Sequence, residues 1–183
     1  QAISTHNIPL VTGWNLISFN VHPEDTTTTT VLSSIDGNYD LVYAWDAAST
    51  GDNWLMYDPA MPFGNTLENL DETMGFWIHM TVADTLEVTG IVPVETNINL
   101  HTGWNLVAYP SGVNRSLPEA LSNNGVGTDF SLVYAYHADD PSPWKMYDPA
   151  MPFGNDLTDL EPGWGYWIWV NEDCTWSVKY LAE

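Results

Sequence analysis

The sequence predicts a mainly β chain. It reads as two tandem units related by a pseudo-twofold, each of about five antiparallel strands in a small sandwich or barrel, with at most one short helix. Three observations carry this expectation. First, long blocks recur. Thr12-Gly13-Trp14-Asn15-Leu16 returns as Thr102-Gly103-Trp104-Asn105-Leu106, and Leu41-Val42-Tyr43-Ala44 as Leu132-Val133-Tyr134-Ala135. Met56 to Asn65 returns letter for letter as Met146 to Asn155, and Gly75-Phe76-Trp77-Ile78 as Gly165-Tyr166-Trp167-Ile168. Self-similarity of this kind marks a repeated structural unit. Second, the blocks are short runs of β-formers separated by Gly, Pro, Asn and Asp. Third, no long stretch carries the helical period of apolar residues. A boundary near Pro93 to Leu100 divides the chain into residues 1–93 and 94–183, which are expected to pack as one module. A single ten-stranded sandwich is the rival architecture.

In the first unit the strands fall at Leu16 to Phe19, Leu41 to Trp45, Trp54 to Tyr57, Gly75 to Met80 and Leu86 to Thr89. One short helix is expected between the first two. In the second unit Ser116-Leu117-Pro118-Glu119 combines an N-cap residue, a Pro in the first turn and a capping-box Glu. The matching Thr26 to Ile35 stretch begins with β-branched Thr, so a helix there is short and starts late.

Composition bounds the function. The chain has 183 residues with 24 Asp+Glu against 3 Lys+Arg, a formal net charge of −21. Arg115, Lys145 and Lys179 are the whole cationic inventory. Binding of nucleic acid is excluded as an expectation, because neutralising phosphates takes Lys and Arg. Docking on anionic membranes is disfavoured for the same reason. Ten Trp in a chain that is 44% hydrophobic argue for a folded core rather than disorder. No apolar run is long enough for a transmembrane helix, and no basic region followed by an apolar stretch suggests a signal peptide. Cys174 stands alone, so no disulfide within the chain is expected.

The succession Gly-Trp-Asn-Leu, Leu-Val-Tyr-Ala-Trp-Asp, Trp-x-x-Tyr-Asp-Pro, Asn-x-Leu-x-x-Leu and Gly-Phe/Tyr-Trp-Ile resembles a tandem β-repeat of secreted and surface-layer proteins of bacteria and archaea. The resemblance covers nearly the whole chain, twice. Such repeats are often appended to glycoside hydrolases, cohesin-like modules or adhesive stalks. It implies an extracellular or cell-surface accessory module, covalently linked to catalytic or surface domains of a parent chain.

The aromatics are the candidate ligand-binding residues. Sugar C–H faces pack on flat rings, while hydroxyls bond to Asp, Asn and His. Trp14/Trp104, Trp54/Trp144 and Trp77/Trp167 occur in both copies and read as rings the fold requires. Trp164, Trp169 and Trp176 stand opposite Met74, His79 and Leu86, and Trp45 opposite Tyr136, so these read as surface or ligand rings. Strand alternation puts Tyr166, Ile168 and Val170 on a core face, and Trp167 and Trp169 on the other. Trp169 with Trp164 is therefore the first expected platform. The rival reading makes Trp169 an interface residue covering the other unit. The hairpins supply a second candidate: Trp45, Trp54, Tyr136 and Trp144, with Asp46, Asp52, His137 and Asp139 as polar partners. Loops that differ between copies are where function diversifies. The identical Asp-Pro-Ala-Met-Pro-Phe-Gly-Asn segments read instead as fixed loops started by Asp58 and Asp148.

Metal and catalytic chemistry have thin support. Asp46, Asp52 and Asn53, or Asp139 and Asp140, could contribute to a structural calcium site, but no loop has the EF-hand spacing. The five His show no zinc-ligand spacing. No nucleophile elbow, zinc-protease motif or phosphate-binding loop is present. The expectation is thus a carbohydrate-binding module rather than an enzyme, with no cofactor. Its ligand would be a neutral glucan-like or chitin-like polysaccharide. The alternative is a structural or adhesive surface module that binds no glycan.

Overall fold

The computed structural model describes residues 1–182. The chain is mainly β, and its named strands pair antiparallel. The N-terminal half contributes β1 (Ile3–Leu10), β2 (Gly13–Ile17), β3 (Tyr39–Trp45), β4 (Trp54–Tyr57), β5 (Phe76–Met80) and β6 (Asp84–Ile91). The C-terminal half contributes β7 (Glu95–Leu100), β8 (Gly103–Val107), β9 (Arg115–Ser116), β10 (Phe130–Tyr136), β11 (Trp144–Tyr147), β12 (Asp159–Leu160), β13 (Tyr166–Val170) and β14 (Cys174–Lys179). Two four-stranded sheets share one order, β2-β5-β3-β4 and β8-β13-β10-β11; the N-terminal half adds the two-stranded sheet β1-β6, and the C-terminal half adds β7-β14 and the short β9-β12. The sheets are open ladders with free edges, so the barrel expectation is not met. The expected strands leave out β1 and β7, which carry few bulky β-formers among polar residues, and the two-residue β9 and β12.

Each half encloses its own apolar cluster. One is drawn from Ile8 to Val88 and centres on Phe19, Phe76, Ile78 and Leu86; the other runs from Ile98 to Val178 and centres on Tyr109, Tyr166, Ile168 and Trp176. The helices are short, as expected: α1 is Thr28–Val31, followed by a 3-10 turn at Ser33–Ile35, and α2 is Glu119–Ser122. The capping box does not form. Ser116 lies in β9 opposite Asp159, and α2 starts at Glu119 with no side-chain cap. Pairing with β12 takes the backbone that a cap would need. No helix among the described residues is long and apolar enough to cross a membrane.

The repeated motifs have local physical causes. Gly13 and Gly103 adopt positive φ, of 96° and 100°, which a Cβ would disfavour. The Asn two residues later then staples the turn. The Asn15 amide donates to the Val11 and Gly13 carbonyls while its Oδ1 accepts from the Val11 N–H; Asn105 does the same at His101 and Gly103. This launches β2 and β8 with Trp14 and Trp104 facing away from the cores. In β3 and β10 a bulge does equivalent work. The register slips between Tyr39 and Leu41, and between Phe130 and Leu132. The extra residue reverses the alternation. Tyr39, Val42 and Ala44 therefore point inward together, and Tyr43 and Trp45 outward.

The halves meet along a seam at Gly75 and Gly165. Ser18 N–H donates to the Gly163 carbonyl at 3.0 Å, and Gly165 N–H to the Leu16 carbonyl at 3.2 Å. On the opposite side Ala108 N–H donates to the Thr73 carbonyl at 3.0 Å. A Cβ on Gly75 would sit 2.5 Å from the Val107 oxygen, and one on Gly165 would sit 2.9 Å from the Ile17 oxygen. The Gly of the Gly-Phe/Tyr-Trp-Ile motif is thus what lets the halves approach.

Candidate functional site

The outward faces of the two four-stranded sheets carry the aromatics. On the first, Trp14 lies beside Tyr43 at 6.0 Å between ring centroids, and Trp77 edge-on to Trp14 at 6.2 Å. On the second, Trp104 lies beside Tyr134 at 5.8 Å and Trp167 at 6.1 Å. The hairpin rings then cross the seam. Trp45 and Trp54 pack edge-on to Trp167, at 5.6 and 5.9 Å. Tyr136 and Trp144 reach Trp77, at 5.2 and 5.8 Å. Each hairpin therefore leans over the other half's sheet.

Two grooves result, of about 620 and 590 Å³. Trp14, Tyr43, Trp77, Trp54, Tyr136 and Trp144 line the first. Trp104, Tyr134, Trp167, Trp144, Trp45 and Trp54 line the second. Under the sequence repeat these sets map onto each other, with one change: Tyr136 in the first groove stands where Trp45 stands in the second. Trp54 and Trp144 border both grooves and are the most exposed of the Trp rings, at 42% and 51%. Both grooves fall in the size range of small-molecule sites, and both are walled by rings alone. Polar capacity comes from the ring edges, namely the phenol groups of Tyr43, Tyr134 and Tyr136 and the indole N–H groups. The Trp45 N–H is committed already, donating to the Trp104 carbonyl at 3.1 Å.

The expected site residues divide on this geometry. Trp45, Trp54, Tyr136 and Trp144 come together in the grooves. Trp169 is exposed on the same outer face, edge-on to Trp104 at 5.3 Å, but lines neither groove. Trp164 lies elsewhere. It packs against the C-terminal core and on the His137 ring at 4.4 Å, and its carbonyl accepts from Ser18 across the seam. The pairing of Trp164 with Trp169 as one platform is therefore not what the fold builds, because Trp164 precedes the strand and turns toward the seam. The His137 ring is half-buried, and burial holds its pKa below the ordinary value. Asp46 and Asp52 accept from their own turn, from Ala48 and Trp54 N–H at 3.0 Å each. Asp139 is exposed beside the second hairpin turn. None of these four polar residues lines a groove.

Comparing the copies misassigned the rings. Trp176, found once and read as a surface candidate, is fully buried, with its N–H donating to the Ala120 carbonyl at 2.9 Å. Trp14, Trp77, Trp104 and Trp167, read as rings the fold requires, lie outside both apolar clusters and line the grooves. Repetition marks what both copies share, and here they share the outer face as well as the core. Tyr43 and Tyr134 were missed as groove residues. A signal is present in the sequence: two-residue alternation puts Tyr43 on the same strand face as Trp45.

The Asp58 and Asp148 loops hold as expected. Asp58 accepts from Ala60 N–H at 2.8 Å, and Asn65 bonds the Asp58 backbone both ways. Asp148 and Asn155 repeat these bonds. Among the described residues no group of three or more His, Cys, Asp or Glu is placed to hold a metal ion. Asp140 instead accepts from Ser142 N–H and pairs with Lys145 at 3.1 Å, which together hold its carboxyl below the usual range. Comparison of the chain with protein-family models, with curated proteins and with solved structures finds no match.

Proposed function

We propose that the chain is a non-catalytic carbohydrate-binding module of a larger extracellular or cell-surface protein. It holds a neutral glucan-like or chitin-like polysaccharide in the two seam grooves. In this reading residues 1–93 and 94–183 are two copies of one unit, related by a pseudo-twofold that exchanges the grooves. The observation that carries it is the shared lining: each groove takes sheet rings from one half and hairpin rings from the other. Flat rings suit the C–H faces of pyranoses, and ring-edge donors and phenol oxygens suit their hydroxyls. A chain at −21 repels polyuronates and sulfated glycans, so polyanionic polymers are not its ligands.

Affinity electrophoresis tests this. Hydroxyethylcellulose, barley β-glucan or glycol chitin in the gel is expected to retard the chain. Trp54→Ala/Trp144→Ala is expected to weaken the interaction tenfold or more, about 1.4 kcal/mol, since both rings border both grooves. Trp169→Ala is expected to do less. Unretarded migration on all three polymers would remove the glycan reading. A structural or adhesive surface module is the second reading. The Trp45 N–H bond to the Trp104 carbonyl favours it, because it makes at least one seam ring a fastener between the halves.

A further inference from the structure

We infer that the seam grooves bind quaternary ammonium groups, carried on a soluble small molecule or polymer. This rests on the grooves being the ligand site, and not on the ligand being a glycan. Four observations lead there. The walls are six rings each, four of them Trp in the first groove and five in the second. Indole faces are the strongest cation–π partners. No Lys, Arg or His lines either groove. The chain carries −21, so the field over the whole surface favours cations. The exposed acids Asp46, Asp52 and Asp139 flank the hairpin turns just beyond the ring-bearing residues.

The kind of cation follows from what the walls lack. No carboxylate or carbonyl-bearing side chain lines a groove. A primary ammonium brings three N–H donors that such walls leave largely unmet, at the cost of its desolvation. A trimethylammonium group brings no donor. Its charge is spread over methyl groups that pack on indole faces as alkyl groups do. It therefore gains both apolar contact and cation–π attraction where a lysine head gains only the second. The single lining difference, Tyr136 for Trp45, gives the second groove one more indole and one fewer phenol.

The test is a titration of the intact chain with choline chloride at low ionic strength, followed by Trp fluorescence. It is run against 3,3-dimethylbutan-1-ol, which has the same shape without the charge. Choline is expected to bind at least tenfold tighter than the neutral isostere, and Trp54→Leu/Trp144→Leu to remove the difference. Both rings lie outside the apolar clusters, so folding of the variant is checked by its unchanged far-UV spectrum. Equal binding of the two probes, or binding of neither, would overturn the inference whether or not polysaccharides bind. Co-sedimentation with phosphatidylcholine vesicles would move the ammonium to a bilayer and overturn the commitment to a soluble ligand. Choline binding without any polysaccharide retardation would leave this inference standing and remove the glycan reading alone.

Discussion

Trp176→Ala is expected to lower the unfolding free energy by about 3–5 kcal/mol, the largest loss of any single ring removal in this chain. The side chain is fully buried and among the largest in the core. Its plane lies on Tyr109, with centroids 6.2 Å apart and 20° between planes. Truncation leaves a cavity the size of an indole and removes the ring N–H bond to the Ala120 carbonyl at 2.9 Å, leaving that carbonyl only its bond from the Asn124 side-chain amide at 3.0 Å. Tyr109 is itself tied down, donating to the Val113 carbonyl and accepting from Arg115, so it cannot collapse into the space. Trp169→Ala is the control, since that ring is exposed and its loss is expected to cost well under half as much. Urea unfolding of the two variants checks the ranking. Equal midpoints would contradict the burial of Trp176.

Stability is also expected to fall by about 2–3 kcal/mol as pH drops from 6.5 to 4, through His6. Burial lowers the pKa of this ring from 6.5 to about 4. Its Nδ1 accepts from Asn20 N–H at 3.2 Å, a bond that requires the unprotonated nitrogen. The direction follows from proton counts. Between pH 4 and 6.5 the unfolded chain binds a proton at this site and the folded chain does not, so unfolding takes up a proton and stability rises with pH. The contribution is complete above about pH 6.5 and gone once pH falls through about 4. His137, lowered chiefly by burial, adds in the same direction. His6→Asn keeps an acceptor near Asn20 and removes the titration. It is expected to flatten the pH dependence of the urea midpoint in this window. An unchanged slope would contradict the assignment of the acid sensitivity to His6.

The β class and the core faces were legible because repetition and two-residue alternation are properties of single strands. Tyr166, Ile168 and Val170 are buried, and Trp167 and Trp169 are not. Val42 and Ala44 are buried, and Tyr43 and Trp45 are not. The grooves were not legible, because each depends on where one half's hairpin lands on the other half's sheet. Nothing local encodes that. The clue was Gly75 and Gly165, whose missing Cβ atoms let the seam close. A motif glycine inside a strand pattern signals close backbone approach, but the sequence does not say to what. Trp176 shows the reverse failure. A ring present in one copy reads as a surface addition, yet it fills core volume that Leu86 fills in the other half. The polar partners were misplaced for a similar reason. Asp46 and Asp52 stand near the rings in sequence, but their carboxylates are spent on turn N–H groups.

The grooves, rather than the Trp164 side of the molecule, are the proposed ligand site, and the indole N–H region of a two-dimensional ¹⁵N–¹H spectrum reports on them directly. Each of the ten Trp contributes one resonance there. On titration with cellohexaose, the resonances of Trp54 and Trp144 are expected to shift most, with Trp14, Trp77, Trp104 and Trp167 following. Those of Trp164 and Trp176 are expected to stay in place. Shifts confined to Trp164 and Trp169, or no shift at saturating oligosaccharide, would contradict the assignment.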